Sequence, residues 1–362
     1  MTVTHHGKKK ICMIVPQRDV QGGIASVTSG YYGSRLETDF DVIYVESYRD
    51  GSKWQKLLKA LAAYRQFRKV LRTFKPDLIH IHSSFGPSFY RKMPFILMAE
   101  RAGIPVVNHI HGSAMDEFYN SAGPRKQKLV QKIYGKCACI ITLTPHWQKI
   151  IQNIATNTKV VTVPNYSILH EETAQPAARD ARFAKKQILF LGKIDEAKGV
   201  YEIPAVMDRV CREFPEAVFY LAGSGDLEGV RERTPEDLRK NLVLPGWIVG
   251  EEKTQALWDS AVFFLPSHME AMPVSALDAM GYGLPVVSTN VGGIPDVVSD
   301  GGNGTLTAVG DTEKMAEALL ALLRDRALWE KMSDESLAIV RERFSLDAHI
   351  AQLEEIYEEA ML

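Results

Sequence analysis

The sequence contains no long hydrophobic run. No apolar stretch reaches the roughly eighteen residues that a membrane-spanning helix requires. The apolar run ICMIVP near the N-terminus is too short for the core of a signal peptide, and no small-residue cleavage site follows it. We therefore expect neither a transmembrane segment nor a secretory signal, and we expect a cytoplasmic protein.

Cysteine is also scarce. The chain has 4 cysteines, all in or beside apolar runs: Cys12, Cys137, Cys139 and Cys211. A single Cys-x-Cys pair is weak evidence for a metal site, so we expect buried free thiols in a reducing compartment.

Several motifs that define common enzyme classes are missing. The sequence has no P-loop, no Gly-x-Ser-x-Gly nucleophile elbow and no His-Glu-x-x-His zinc motif. Nor does it contain an internal repeat or a low-complexity tract. These absences count against P-loop nucleotide hydrolases, hydrolases with a nucleophile elbow, zinc peptidases and repeat architectures.

Acidic residues are absent from one long stretch, residues 118–170. Residues 1–170 hold 24 Lys and Arg against 10 Asp and Glu, so the overall net charge of -1 conceals a basic first half and an acidic second half. A chain of 362 residues with 46% hydrophobic content is long enough for two cores. The charge division predicts two domains with different partners.

Short β-rich runs alternate with helical patterns in both halves. The first half contains ICMIVP, FDVIYVE, DLIHIH, PVVNHIHG, CIITLT and KVVTVP, and the second contains QILFLG, AVFYLAG, NLVLPG, VFFLPS, LPVVST and GTLTA. Residues 53–75 and 126–135 read as helices, as do three segments at the C-terminal end. This alternation predicts an α/β protein with two doubly wound parallel sheets. The polar, alanine-rich residues 167–186 between the two patterns predict a linker.

Two carboxylates, Glu270 and Asp278, surround the start of a predicted helix in SHMEAMPVSALDAM. Pro273 suits a first helical turn, whose amides attract phosphate, and a nearby carboxylate accepts hydrogen bonds from sugar hydroxyls. The alternative is that Glu270 caps the helix and Asp278 is solvated. The two residues by themselves favour neither interpretation.

Two loops after predicted strands in the second half carry lysines and glycines. Lys193 and Lys198 in LGKIDEAKG have the charge to neutralise a diphosphate, although loop lysines are usually solvated. Gly223 lies in AGSGDLEG, which lacks a dinucleotide fingerprint and reads most simply as a tight turn.

In the first half, Gly22 and Gly23 follow the first strand and precede a predicted helix, where backbone amides can approach a phosphate. A plain turn explains the pair nearly as well. His111 follows another strand, and alternation puts it on one face with His109, while His80 and His82 repeat the spacing. A zinc site is improbable, because no third acidic or Cys ligand is nearby.

Together these segments resemble the retaining glycosyltransferases of the family-four type, which have the two-domain GT-B fold. The resemblance covers nearly the whole chain, and its longest match is EAMPVSALDAMGYGLPVVSTNVGGIPDVV. It implies two facing Rossmann-like domains with a cleft: residues 1–166 with a returning C-terminal helix at about 345–362, and residues 187–344. The remaining matches are Gly22-Gly23-Ile24, His111-Gly112, Val163-Pro164-Asn165, Gly192 to Lys198-Gly199, and Ala222 to Gly225.

The resemblance also implies residue roles. Glu270 would contact the donor sugar, Asp278 the nucleotide ribose, and His111 the sugar near the reacting centre. Lys193 and Lys198 would bind the diphosphate, together with Gly223, the backbone amides around Gly23 and those of the segment Met272, Pro273 and Val274, in which Pro273 itself has no N–H. Asp278 replaces the usual Glu and Lys193 the usual Arg, which loses bidentate phosphate geometry. Neither change removes the required charge.

The resemblance implies a retaining transferase in which lysines and helix amides stabilise the leaving diphosphate, so that we expect no metal and no other cofactor. The most common donor expectation is a UDP-sugar. We expect a lipid-linked glycan acceptor and a role in bacterial surface polysaccharide assembly. The alternatives are a nucleotide-sugar epimerase on the same fold and a catalytically weak nucleotide-sugar-binding protein.

The basic segment at residues 53–75 suggests where such a protein would act. A basic amphipathic helix with aromatic residues can lie on an anionic membrane, although a sheet-packing helix with a solvated basic face fits as well. We expect peripheral association with the inner face of the cell membrane and no nucleic-acid partner. The candidate contact residues are Lys53, Trp54, Lys56, Lys59, Arg65, Arg68, Lys69 and Arg72, with a second basic strip at residues 125–136.

Overall fold

The computed structural model describes residues 7–112 and 115–362. The chain divides into two compact units, one formed by Met1–Asn165 with Leu346–Leu362 and the other by Tyr166–Ser345. The last helix of the chain therefore belongs to the first unit. The predicted free thiols are confirmed, because all four cysteines are buried and unpaired by disulfides.

The first unit is built on a six-stranded parallel sheet with the order β2-β1-β3-β4-β5-β6. β3 and β4 are buried along their whole length, which is why their sequences read as continuous apolar and histidine runs. The strands are β1 Lys10–Val15, β2 Asp41–Glu46, β3 Leu78–Ser83, β4 Val106–Ile110, β5 Cys139–Thr142 and β6 Lys159–Thr162.

Helices connect these strands, because two parallel neighbours can be joined only by a crossover connection, which is almost always right-handed. They are α1 Gly23–Ser29, α2 Arg35–Asp39, α3 Lys53–Thr73, α4 Pro87–Arg101, α5 Met115–Asn120, α6 Pro124–Tyr134 and α7 Pro145–Ile154, with α15 Leu346–Ala360 added from the C-terminal end. The capping box of α3 fixes its start, since Ser52 accepts from the Gln55 amide and the Gln55 side chain accepts from the Ser52 amide.

The second unit has its own six-stranded parallel sheet, with the order β12-β11-β10-β7-β8-β9. Its strands are β7 Gln187–Leu191, β8 Val218–Ala222, β9 Leu242–Gly246, β10 Val262–Leu265, β11 Val286–Thr289 and β12 Gly304–Thr307. Its helices are α8 Pro176–Lys185, α9 Ile203–Glu213, α10 Leu227–Arg233, α11 Gly250–Asp259, α12 Val274–Gly281, α13 Thr312–Arg324 and α14 Arg326–Arg343. The predicted fold class of two doubly wound parallel sheets is confirmed.

The linker predicted at residues 167–186 is instead folded into the second unit. It contains α8, whose first turn begins at Pro176. Arg182 explains why a polar sequence is buried there: its guanidinium is 1% exposed and donates to the backbone oxygens of Ser260 and Tyr282. The ring of Trp329 also packs beneath it, with 5.8 Å between the guanidinium carbon and the ring centroid.

Each sheet has a point where the strand order reverses. In the second unit the order reverses between the neighbouring strands β7 and β10, and in the first unit between β1 and β3. Ligands of open α/β sheets bind beyond the carboxyl ends of the strands at such points, because the loops there diverge to opposite faces. Gly22 and Gly23 follow β1 at one of these points, and Lys193, Lys198 and Glu270 follow β7 and β10 at the other. Among the described residues, no helix is long and apolar enough to cross a bilayer.

Candidate functional site

Lys198 and Glu270 meet at the reversal point of the second sheet. Lys198 follows β7, Glu270 follows β10, and the Lys198 Nζ atom lies 2.5 Å from Glu270 Oε1. The two side chains are 25% and 10% exposed, so the pair is largely shielded but reachable from solvent. Residues 72 positions apart in the chain are thus joined because their strands are neighbours.

The loop that carries Glu270 is held in place by several short contacts. Ser267 Oγ donates to Glu270 Oε1 over 2.9 Å, and Thr289 Oγ1 donates to the Ser267 carbonyl. Gly292 has a φ of +52°, and a Cβ atom there would stand 1.9 Å from the Glu270 carbonyl oxygen. The glycines of NVGG therefore serve the packing of the Glu270 loop, a role that the sequence pattern did not reveal.

Helix α12 begins at Val274, directly after Met272 and Pro273. Pro273 is the N-cap and makes no side-chain hydrogen bond to the first turn. Glu270 does not cap this helix, because its Oε1 atom is engaged by Lys198 and Ser267. The capping alternative for Glu270 is therefore wrong, and the start of α12 keeps the geometry suited to an anion.

The glycine-rich loop after β8 packs directly on the loop that carries Lys193. A Cβ atom on Gly223 would stand 1.6 Å from the Gly192 carbonyl oxygen, and one on Gly225 would stand 2.1 Å from that of Ile194. The backbone of Ile194 bonds to Ser224 and Asp226 in the same region. Glycine at 223 is thus required for loop packing. Lys193 itself is 68% exposed and lies 2.6 Å from Asp195.

Asp278 lies in the second turn of α12 and is paired with a lysine that the sequence analysis missed. Lys253 of α11 places its Nζ atom 2.6 Å from Asp278 Oδ2, with the side chains 33% and 22% exposed. A second missed pair is His268 and Glu202, whose Nε2 and Oε1 atoms are 2.5 Å apart. The His268 amide also donates to the carbonyl of Ala197, which ties the Glu270 loop to the Lys198 loop.

In the first unit, Gly22 and Gly23 lie where the sequence predicts them, between β1 and α1. Gly22 has a φ of +135°, which a residue with a side chain rarely adopts, and no atom lies within 4 Å of a Cβ built there. The preceding Gln21 amide donates to Asp50 Oδ2 over 3.1 Å. The loop therefore has open space beside Gly22 and is held at Gln21 by the hydrogen bond to Asp50.

His111 follows β4 and is bound on two sides within the first unit. Its Nε2 atom lies 2.9 Å from His82 Nδ1, and its side chain also hydrogen-bonds to Asn165. Burial lowers the pKa of His111 to about 3, helped by His349 and opposed by the bond to Asn165. The next residue is closely packed, since a Cβ atom on Gly112 would stand 2.5 Å from Ser84 Oγ and would force that side chain to move.

The alternating histidines of β3 and β4 form a buried cluster of three imidazoles, as their positions on neighbouring strands allow. Ligand atoms of His80, His82 and His109 lie within 4.8 Å of one another. Burial lowers the pKa of all three histidines well below its ordinary value, and no carboxylate is among the described groups that shift it. The three rings are therefore neutral near pH 7.

The chain matches two family models that together cover more than half of it. Residues 25–166 match the glycosyl transferase 4-like domain, and residues 185–325 match the glycosyl transferases group 1. Among curated relatives, the phosphatidyl-myo-inositol mannosyltransferase of Mycolicibacterium smegmatis is 26% identical over 74% of this chain and 67% of its own. The UDP-Gal:alpha-D-GlcNAc-diphosphoundecaprenol alpha-1,3-galactosyltransferase of Escherichia coli is 24% identical over 83% of this chain and 80% of its own.

A solved structure shows the same fold at lower identity. Alr3699/HepE of Anabaena, in complex with UDP and glucose, superimposes with a TM-score of 0.68 at 16% identity, covering 97% of this chain and 99% of that one. The two six-stranded parallel sheets and the two family matches support the same assignment. The chain belongs to the group 1 glycosyltransferases and has the GT-B fold.

Proposed function

We propose that this glycosyltransferase moves a sugar from a UDP-sugar to a hydroxyl of a lipid-linked glycan, with retention of anomeric configuration, during bacterial surface polysaccharide assembly. The observation that carries the proposal is the Lys198–Glu270 pair at the reversal point of the second sheet, 2.5 Å between Nζ and Oε1. A cation and a carboxylate in contact there match the two ends of a nucleotide sugar, the diphosphate and the sugar hydroxyls.

In the proposed mechanism the donor diphosphate lies against Lys198, Lys193 and the start of α12. Negative charge develops on the leaving diphosphate as the glycosidic bond breaks, and a preorganised ammonium and helix amides stabilise it. This arrangement supplies the charge that a divalent cation would otherwise bring, so transfer proceeds without metal. Glu270 accepts hydrogen bonds from the sugar and orients it rather than attacking it.

Before the donor binds, Glu270 compensates the positive charge of Lys198. Diphosphate binding replaces one anionic partner of Lys198 with another, and Ser267 keeps Glu270 in position through its 2.9 Å hydrogen bond. When Lys198 binds the phosphate, the Glu270 carboxylate becomes free to accept hydrogen bonds from the sugar hydroxyls. Asp278, held by Lys253, accepts from the ribose in the same unit.

The donor and acceptor classes are proposed by analogy with the relatives. The Escherichia coli relative is named for a UDP-Gal donor and a diphosphoundecaprenol-linked acceptor, and the mycobacterial relative for a phosphatidylinositol acceptor. The Anabaena structure holds UDP and glucose. Two of the three names include UDP, and the two relatives add an acceptor carried by a lipid.

A stripe on α3 supports the membrane side of the proposal. Trp54, Leu58 and Leu61 recur every three or four residues, are 74%, 63% and 43% exposed, and continue into three exposed arginines. Phe67 and Val70 face the other way and are buried, so α3 packs on the sheet and still leaves an apolar and basic surface. The stripe consists of Trp54, Leu58, Leu61, Arg65, Arg68 and Arg72.

Not every basic residue of α3 belongs to that surface. Lys59 places its Nζ atom 2.8 Å from Glu46 Oε2, and Lys56 lies over the Tyr48 ring at 5.4 Å. The exposed Lys53 and Lys69 remain to attract anionic lipid together with the arginines. The apolar half of the stripe would insert at the headgroup boundary and the basic half would hold phosphate.

A product assay tests the proposed activity. The protein is incubated with radiolabelled UDP-, GDP- and ADP-sugars, with and without an undecaprenyl-diphosphate-linked sugar, and in the presence of EDTA. We expect label in the lipid fraction from a UDP-sugar, insensitive to EDTA, and an anomeric coupling in the product that matches the donor.

Other outcomes would overturn the proposal. Conversion of the donor sugar without any acceptor would identify an epimerase. Donor binding seen by thermal shift, with neither transfer nor slow donor hydrolysis, would identify a nucleotide-sugar-binding protein. Loss of activity in EDTA that Mg²⁺ restores would contradict metal independence.

A further inference from the structure

Two cations of the first unit lie against a single tyrosine ring at the carboxyl edge of its sheet. Tyr48 follows β2, and its carbonyl oxygen accepts from the amide of Gln17, which follows β1. The Arg91 guanidinium carbon is 4.6 Å from the centroid of the Tyr48 ring, and the Lys56 Nζ atom is 5.4 Å from it. Two different helices, α3 and α4, thus bring positive charge to the edge where open α/β sheets bind ligands.

Arg91 has no acidic partner among the residues that the structure describes. Its side chain is half-buried, and its Nε atom is buried without a hydrogen-bond partner. Burial lowers the pKa of its guanidinium, and the other groups that shift this pKa are Tyr48 and Tyr64, with no carboxylate among them. A partly buried cation without a counter-ion is costly, so the arrangement is typical of a site that receives an anion.

The acidic side chains next to Tyr48 in the sequence are already engaged. Asp50 accepts from the Tyr48 hydroxyl through one oxygen and from the Gln21 amide through the other, both over 3.1 Å. Glu46 accepts from Lys59 over 2.8 Å. Within the described part of the chain, neither carboxylate forms an ion pair with the two cations at the ring. Their positive charge is therefore not compensated by the first unit itself.

The backbone of α4 holds the guanidinium in place. The next residue, Lys92, is 4% exposed, and its Nζ atom donates to the Ile14 carbonyl over 3.2 Å and to Ser47 Oγ over 2.6 Å. These bonds join α4 to the ends of β1 and β2. The Tyr64 hydroxyl of α3 donates to the Arg91 carbonyl over 2.8 Å. Arg91 is thus carried by a fixed helix, and a preorganised cation loses less entropy when an anion binds.

We propose that Lys56 and Arg91, placed against Tyr48, form a binding site for the diphosphate group of a lipid-linked acceptor. The proposal rests on the proposed function for the word acceptor, but the anion site itself rests on the first unit alone. A guanidinium and an ammonium together present several charged N–H donors, which match the oxygens of a diphosphate. The tyrosine ring gives both cations a common surface and limits their movement.

The position of Lys56 on α3 favours a diphosphate that is attached to a lipid. Trp54, Leu57 and Leu58 lie in the same first two turns of that helix and are 74%, 48% and 63% exposed. A lipid chain leaving the diphosphate would have this apolar surface beside it. An inorganic phosphate would gain nothing from the surface, so the lipid-bound form is expected to bind more tightly.

Binding is tested with farnesyl diphosphate, a short lipid diphosphate, by calorimetry on the full-length protein saturated with UDP. We expect Arg91→Met and Lys56→Met each to weaken binding by about tenfold, because each removes a charge-assisted contact. Arg101→Met is the matched control, since Arg101 is exposed in the last turn of the same helix. Unchanged affinity in both site variants would overturn the proposal. So would a loss of affinity in Lys198→Met alone, which would place the diphosphate in the second unit.

A flotation experiment distinguishes an acceptor diphosphate from a membrane headgroup. Wild-type protein and Arg91→Met are mixed with phosphatidylglycerol liposomes at low salt. We expect the two proteins to float equally, because half-buried Arg91 serves the diphosphate and not the lipid surface. If Arg91→Met loses flotation but keeps its affinity for farnesyl diphosphate, the site binds headgroups and the proposal is wrong.

Acceptor kinetics give a readout that a merely structural change would not reproduce. The same acceptor sugar is presented on undecaprenyl diphosphate and as an octyl glycoside without phosphate. Arg91→Met should raise KM for the diphosphate acceptor by about tenfold and leave KM for the octyl glycoside and for the donor unchanged. Equal changes for both acceptors would contradict the proposal. If no transfer is detected with any donor, the proposed function fails, while calorimetry still decides whether Arg91 and Lys56 bind a lipid diphosphate.

Discussion

Lys253 of α11 and Asp278 of α12 form an ion pair of 2.6 Å between Nζ and Oδ2. The two residues are 25 positions apart, and their helices precede and follow β10. Asp278 is one methylene shorter than the Glu that the family resemblance implies at this position, and Lys253 pairs with its carboxylate. The pair identifies a cation at the proposed ribose contact that the motif alone does not contain.

This pair makes a prediction about ribose recognition. Asp278→Ala and Lys253→Met should each weaken UDP binding by about tenfold, because one removes the hydrogen-bond acceptor and the other releases it. Wild-type protein should bind UDP more tightly than 2′,3′-dideoxy-UDP, and both variants should lose most of that difference. Isothermal titration calorimetry measures all six affinities.

Lys314→Met is the matched control for Lys253→Met. Lys314 is 71% exposed and pairs with Asp311 in the same unit, so its loss removes the same charge elsewhere. If the Lys314 and Lys253 variants bind UDP equally well, the Lys253–Asp278 pair has no part in nucleotide binding.

The exposed stripe of α3 predicts binding to anionic membranes. Trp54→Ser with Leu58→Ser should abolish flotation with phosphatidylglycerol liposomes, since the two side chains would supply most of the inserted apolar area. Arg65→Glu with Arg68→Glu should abolish flotation as well. Salt at about 0.5 M should weaken wild-type binding, because it screens the attraction between exposed charges and the anionic lipid.

The control for the apolar change is Val249→Ser together with Val309→Ser, which alters exposed apolar residues of the second unit. Flotation of this control must equal that of the wild type. Wild-type protein that stays at the bottom of the gradient at low salt would eliminate the membrane proposal.

The loop packing around Gly223 predicts a stability effect. Gly223→Ala places a Cβ atom 1.6 Å from the Gly192 carbonyl oxygen, which the loops cannot accommodate without moving. We expect the free energy of unfolding of the second unit to fall by about 1–3 kcal/mol, measured by urea denaturation. Gly123→Ala is the control, because Gly123 has a φ of −67° and open space around it.

The buried histidines predict that the first unit loses stability in mild acid. Burial lowers the pKa of His80, His82, His109 and His349, so below about pH 6.5 the unfolded chain binds more protons than the folded one. Their contribution is complete above that pH and is lost as the pH falls. Each histidine should remove up to about 1.4 kcal/mol per pH unit.

Hydrogen exchange measured by mass spectrometry localises this effect. After correction for the intrinsic pH dependence of exchange, peptides from β3 and β4 should lose protection between pH 7 and pH 5.5, while β7 should change little. His109→Leu removes one titrating group and should reduce the slope. A slope that stays the same in this variant, or protection that rises in acid, would contradict the assignment.

The strands were predictable from sequence because most are buried on both faces, which leaves continuous runs such as QILFL and VFFL. The linker was mispredicted because α8 buries an arginine, and the sequence does not show that the Ser260 and Tyr282 carbonyls will receive it. Local composition shows that a segment is polar, but it does not show which distant groups will accept hydrogen bonds from its buried side chains.

The candidate site shows the same division. Lys198 and Glu270 could be chosen from their motifs, and their loops follow neighbouring strands of the second sheet. Lys253 could not, because its contact depends on how α11 and α12 pack. The third imidazole at His109 was present in the sequence, but only the parallel register of β3 and β4 places it beside His82.

The most direct test of the central claim is a comparison of sugar transfer by wild-type protein, Lys198→Met, Glu270→Gln and the Lys314→Met control. The account predicts that kcat falls by about 10²- to 10³-fold in each of the first two variants, with circular dichroism unchanged and the control at wild-type activity. Near-normal turnover in both Lys198→Met and Glu270→Gln would contradict it.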